Sequence, residues 1–77
     1  MENKSNKIEK TFELRRQDYI ELCNLLQLVG ACQTGGQAKL EIADGQVIVD
    51  GQVETRKRCK IRKDQVIEYQ EHLITVV

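Results

Sequence analysis

The glycine at position 45 divides this chain into two stretches of different period, and that change restricts the fold more than any other feature. Ahead of it, Leu22, Leu25, Leu26 and Val29 fall at the i, i+3, i+4, i+7 spacing of an amphipathic helix. Beyond it the pattern becomes extended. Gln46-Val47-Ile48-Val49 is rich in β-branched residues, Asp50-Gly51 is a two-residue turn signal, and Gln52-Val53-Glu54 returns. Gln65 to Tyr69 and Leu73 to Val77 read as a second pair of strands, linked through Gln70-Glu71-His72. Helical stripes followed by several short strands predict an α+β domain, with two short helices packed on one side of a small, mostly antiparallel sheet.

Local signals sharpen the boundaries. Asp18 can cap the first helix, and Gly30 sits where a left-handed terminator belongs. After the link Ala31-Cys32-Gln33, Thr34 precedes Gln37 by three residues, the spacing of a capping box in which each side chain serves a free amide. Ala38 and Ile42 lie one turn apart and face the core, so the two helices form an αα-hairpin. Thr11-Phe12-Glu13-Leu14 alternates like a half-buried strand, whereas residues 1–10 carry almost no apolar content and are expected to form a flexible tail. With 77 residues there is room for one domain, expected over 11–77.

The formal net charge is zero, yet the cations are not evenly spread. Arg56, Lys57, Arg58, Lys60, Arg62 and Lys63 place six of the twelve Lys and Arg residues within eight positions, while the acids are scattered from Glu2 to Glu71. Clustered cations neutralise phosphates and release condensed counterions, so this loop is the first candidate for an RNA site. The second is the start of the second helix. Thr34, Gly35 and Gly36 would present amides that lack intrahelical partners, with no side chain on either glycine to obstruct a phosphate, and Lys39 lies one turn on along the same face. Tyr19 and Tyr69 are candidates to stack on bases, with Tyr69 expected in the core or on the sheet surface instead, and an aromatic content of 4% favours recognition of folded RNA by shape and phosphate geometry.

Other chemistries find little purchase. Cys23, Cys32 and Cys59 are an odd set without a close pair, expected as reduced thiols; with one histidine they do not make a metal centre. The flanking Arg58 and Lys60 would lower the pKa of Cys59, although a plain small side chain explains that position equally well. His72 has no Ser or carboxylate at a telling spacing, and the chain shows no nucleophile–base set and no nucleotide-binding glycine motif. A non-enzymatic role is expected, with no cofactor, no small-molecule substrate and no membrane partner, since no apolar run approaches the roughly 18 residues of a span. The expected location is the cytoplasm.

Leu22, Leu25-Leu26, Gly30, Thr34, Gln37-Ala38, Ile42, Gly45, Val47, Val49 and Asp50-Gly51 also fall, in order, at the spacing of the RNA-binding domain first defined in ribosomal protein S-four, the αL motif. The run Glu54-Thr55-Arg56-Lys57-Arg58-Cys59-Lys60-Ile61 further resembles small stand-alone bacterial proteins of the YbcJ type. The resemblance implies a single-domain RNA binder, expected as a monomer, with structured RNA such as ribosomal or transfer RNA as partner. It also marks a departure: many members carry arginine after the capping Ser or Thr, where this chain has Gly35. The competing reading is a protein-interaction module whose basic loop docks an acidic partner in a ribosomal or RNA-processing complex.

Overall fold

Nine short elements alternate with tight turns in the computed structural model, which describes residues 7–77. In chain order they are β1 (Ile8–Phe12), β2 (Ile20–Glu21), α1 (Leu22–Leu28), α2 (Gly35–Ala43), β3 (Val47–Val49), β4 (Gln52–Val53), β5 (Lys60–Ile61), β6 (Val66–Tyr69) and β7 (His72–Val76). Five strands form one sheet in the order β1-β7-β6-β3-β4, antiparallel except for the β1–β7 pair. A separate antiparallel ribbon joins β2 to β5, pairing Ile20 with Ile61 and Glu21 with Lys60.

The core collects the apolar positions of both periods. Leu22, Leu25 and Leu26 of α1 and Ala38 and Ile42 of α2 are buried with Val47, Ile67, Ile74 and Val76 of the sheet and with Ile61 of the ribbon. Tyr69 is buried as well, which removes it from the set of possible base platforms. Its hydroxyl lies beside Cys32 and Glu41, and burial pushes its pKa up to about 12.

Gly30, with φ +80°, ends α1 in the left-handed region where a side chain is strained, as expected. The Lys10 ammonium donates to the Val29 carbonyl there, placing a cation at the negative end of the helix. Thr34 caps α2: its Oγ1 accepts from the Gln37 amide at 3.0 Å. The Gln37 carboxamide reaches back to the Gln33 amide at 3.1 Å, one residue earlier than in the standard box. Asp50 and Gly51 take φ of 51° and 86°, the doubly positive pair of the turn that matches strand twist.

Three expectations need correction. First, Ile8, Glu9 and Lys10 are not tail but strand, hydrogen-bonded alongside His72 to Ile74; residues 1–6 of the expected tail lie outside the described residues. An edge strand with mostly exposed side chains needs no apolar alternation, so composition hid it. Second, Asp18 does not cap α1, which starts at Leu22 behind Glu21 with no side-chain cap. Third, His72 belongs to β7 rather than to a turn, and its ring stacks on Tyr69 with centroids 6.3 Å apart. The turn is Gln70–Glu71, with Gln70 at φ 53°.

Asp50 does more than turn the chain. Its carboxylate accepts from Gln65 Nε2 and from the Val66 amide, both at 2.9 Å, and thereby fixes the start of β6 against the hairpin. These two donors, Gln65 first, hold its carboxyl below the usual range. Asp50→Asn keeps the turn chemistry but turns an NH2 group toward one of the two donors. The expected outcome is a loss of about 1 kcal/mol, read in urea unfolding or as a midpoint about 4–8 °C lower; an unchanged midpoint would show that the pair contributes nothing.

Candidate nucleic-acid interface

The basic stretch leaves β4, turns over 54–59 and enters β5, and its path is set by the first turn of α1. A helix start has amides with no internal partner. Here the Leu22 amide donates to the Cys59 carbonyl at 2.9 Å and the Cys23 amide to the Lys57 carbonyl at 3.0 Å. The loop backbone therefore caps the helix in place of Asp18. With its carbonyls turned inward, the loop leaves the side chains of Arg56, Lys57 and Arg58 exposed to solvent.

The cations then divide into two groups. Arg56 is held by Glu54: its Nε lies 2.9 Å from Oε2 and its Nη2 3.0 Å from Oε1, while its amide donates to Oε2 at 2.9 Å. Only 16% of the Glu54 side chain is exposed, so the carboxylate sits low in the loop and organises it. Lys57, Arg58, Lys60, Arg62, Lys63 and Lys39 have no carboxylate partner among the described residues. The fork edge of Arg56 is thus committed within the loop, which makes it a support for the other five loop cations.

The ribbon orders the rest of the stretch. Ile20 and Ile61 pair across it and are buried, so by the two-residue period of a strand Tyr19, Lys60 and Arg62 take its outer side. The Lys60 ammonium stands 5.0 Å and the Arg62 guanidinium 5.7 Å from the Tyr19 ring centre. Each such contact contributes roughly 0.5–1 kcal/mol when exposed. Further along, the Arg62 amide donates to Gln65 Oε1 at 2.7 Å, which shapes the turn through Lys63 and Asp64.

The other candidate, the start of α2, sits by the opposite end of α1 from the loop. The loop caps the amino end of α1, whereas Gly35 packs near its carboxyl end, where a Cβ on Gly35 would stand 3.3 Å from Gln27 Oε1. Seven residues of α1 separate the two, a length of roughly 10 Å. A side chain at Gly35 would thus crowd the exposed end of Gln27, while one at Gly36 would meet only Thr34 Oγ1, at 4.0 Å, and Lys39 is exposed one turn later. The outward positions of α1 between them are Asn24, Gln27 and Leu28, none of which is acidic.

Cys59 takes the plainer of its two readings. Burial and then the Glu54 charge raise its pKa, outweighing the nearby Arg56, so the flanking cations do not create a reactive thiolate. No group of three or more His, Cys, Asp or Glu side chains is arranged to hold a metal among the described residues. Sequence reasoning missed Glu54 and the pairing of β2 with β5. Each joins residues far apart in the chain or depends on side-chain direction; Glu54, two residues ahead of Arg56, was the one available signal.

This fold and loop define a family. Residues 12–77 match the family model of the S4 domain, and the chain belongs to that family. It is similar to YbcJ of Escherichia coli (strain K12), with 52% identity over 67 residues that cover 87% of this chain and 96% of that one, and equally to YbcJ of Shigella flexneri. The solution structure of Escherichia coli YbcJ, described as revealing an αL motif involved in RNA binding, matches with a TM-score of 0.70. The identity in that match is 48%, over 100% of this chain and 91% of that one.

The hydrogen bonds from Arg56 lower the Glu54 pKa from an ordinary 4.5 to about 2. A carboxylate whose folded pKa is depressed stabilises fully above its ordinary value and loses that contribution as pH falls through the folded one. The loop should thus hold at pH 5 and release between about pH 4.5 and 2, followed by NMR of the Glu54 carboxyl carbon and the Arg56 Nε–H. A Glu54 midpoint near 4.5 would contradict the pairing.

Proposed function

We propose that this protein binds structured RNA without catalysing a reaction on it, gripping the phosphate backbone with the 56–63 loop and the start of α2. The observation that carries the reading is the state of the cations. Lys57, Arg58, Lys60, Arg62 and Lys63 are exposed, lack carboxylate partners among the described residues, and project from a loop fixed on α1. A fixed cation loses less conformational freedom on binding than a mobile one. Its charge is also not spent on a neighbouring acid.

The S4 family membership and the αL motif described for YbcJ support the same partner. The acidic-protein reading has no observation of its own in its favour. The loop and the Thr34–Gly36 start, separated by the length of α1, would meet successive phosphates rather than one. Gly36 brings a first-turn amide of α2 and Lys39 an exposed charge there, while at Gly35 the Gln27 side chain stands close by. Because the resemblance puts arginine in many family members where this chain has Gly35, most of the affinity falls to the loop. The reading extends to a monomeric, cytoplasmic protein acting on ribosomal or transfer RNA; no helix among the described residues is long and apolar enough to cross a membrane.

If about four phosphates are neutralised, affinity should fall roughly fiftyfold or more between 50 and 200 mM salt. Lys57→Glu with Arg58→Glu should reduce the salt slope by roughly two units and weaken binding to a folded RNA in a gel-shift assay, with thermal unfolding unchanged. Arg56 is left in place because reversing it would set two carboxylates together in the loop. Equal shifts for the double variant and the natural protein would reject the surface.

A further inference from the structure

Tyr19 is the one aromatic ring left on the outer side of the ribbon, 37% exposed, and it forms a wall of an open hollow of about 520 Å³. Gln17, Asp18, Ile20, Glu21 and Asn24 complete that hollow. Its chemistry is unlike that of the loop. Amides and carboxylates line it, and the cations Lys60 and Arg62 stand at the ring. Carboxylates repel a phosphate, so the hollow does not suit the backbone; they accept hydrogen bonds from amino groups on base edges. An aromatic face beside them is a surface on which any base can stack.

We infer that the Tyr19 hollow receives one unpaired nucleotide, with its base against the ring and its phosphate toward Lys60 and Arg62. This rests on the RNA-binding reading and deepens it: the RNA would carry a bulge, loop or frayed end beside the helical segment held by the loop. Asp18 and Glu21 favour a base with an exocyclic amino group: cytosine, adenine and guanine offer one, whereas uracil has only its N3–H to donate. Gln17 and Asn24 can donate or accept and complete the base edge. Lys60 links the two regions, since it belongs to the basic stretch and stands over the ring. On binding, Lys60 and Arg62 exchange the ring for the phosphate and free the face for stacking.

The test compares a short RNA hairpin carrying a single bulged cytosine with its fully paired counterpart. Stacking of one base on an aromatic ring corresponds to roughly 5- to 150-fold in affinity, so the natural protein should prefer the bulged hairpin by a factor in that range. Tyr19→Phe should keep the preference. Tyr19→Ala and Tyr19→Leu should bind both RNAs alike while retaining the salt slope, and a bulged uracil should be bound less tightly than the cytosine. A bulged 2-aminopurine should lose fluorescence with the natural protein and not with Tyr19→Ala. Equal binding of both hairpins by the natural protein overturns the inference, as does a preference that survives in Tyr19→Ala and Tyr19→Leu. In either case binding that is lost in the Lys57→Glu, Arg58→Glu variant leaves the RNA-binding reading standing. No binding to either hairpin would overturn both.

Discussion

Two amides at the start of α1 decide where the cations of this protein stand. The Leu22 and Cys23 N–H groups have no partner within their own helix, and both are satisfied by carbonyls of the basic loop. Leaving a buried amide unpaired costs about 1–3 kcal/mol, a large share of the net stability of a domain this small. Folding the helix therefore fixes the loop, and the loop in turn defines where the helix begins. Leu22 is fully buried on the same turn, so the anchor sits on the core and not on a fraying end.

From that anchor the electrostatics follow. A chain with no net charge can present a positive surface only by keeping its acids away from it. One acid does enter the loop, Glu54, and it is tied on one side by Arg56 in a two-pronged pair. The pair neutralises one charge and braces the turn that carries the rest. Asp18 lies ahead of the ribbon and Glu21 within it, paired with Lys60, so the basic surface is bordered at the Tyr19 hollow by a patch of different chemistry.

Much of this could be read from residue order, and the exceptions have a common cause. The helical stripe, the Thr34 cap, Gly30, Gly45 and the Asp50-Gly51 turn are local devices, each encoded within a few residues, and all appear where expected. What escaped was long-range. The cap of α1 comes from Lys57 and Cys59, the partner of β2 is β5, and Ile8 to Lys10 become a strand only because β7 lies beside them. The six clustered cations were legible as a charge run, but the burial of the Cys59 thiol, the capture of Arg56 and the placing of loop and α2 start at opposite ends of α1 are properties of packing. Asp50 illustrates the middle ground: its turn role was evident, while its hold on Gln65 and Val66 was not.

The central claim is that RNA meets the protein where the loop is pinned to α1. Amide chemical shifts during titration with a folded RNA test it most directly. The account predicts that the largest changes fall on Leu22, Cys23 and the 57–62 segment, with the β6–β7 turn at Gln70 and Glu71 silent. Changes centred on that turn and on β1, with Leu22, Cys23 and the loop unmoved, would contradict it.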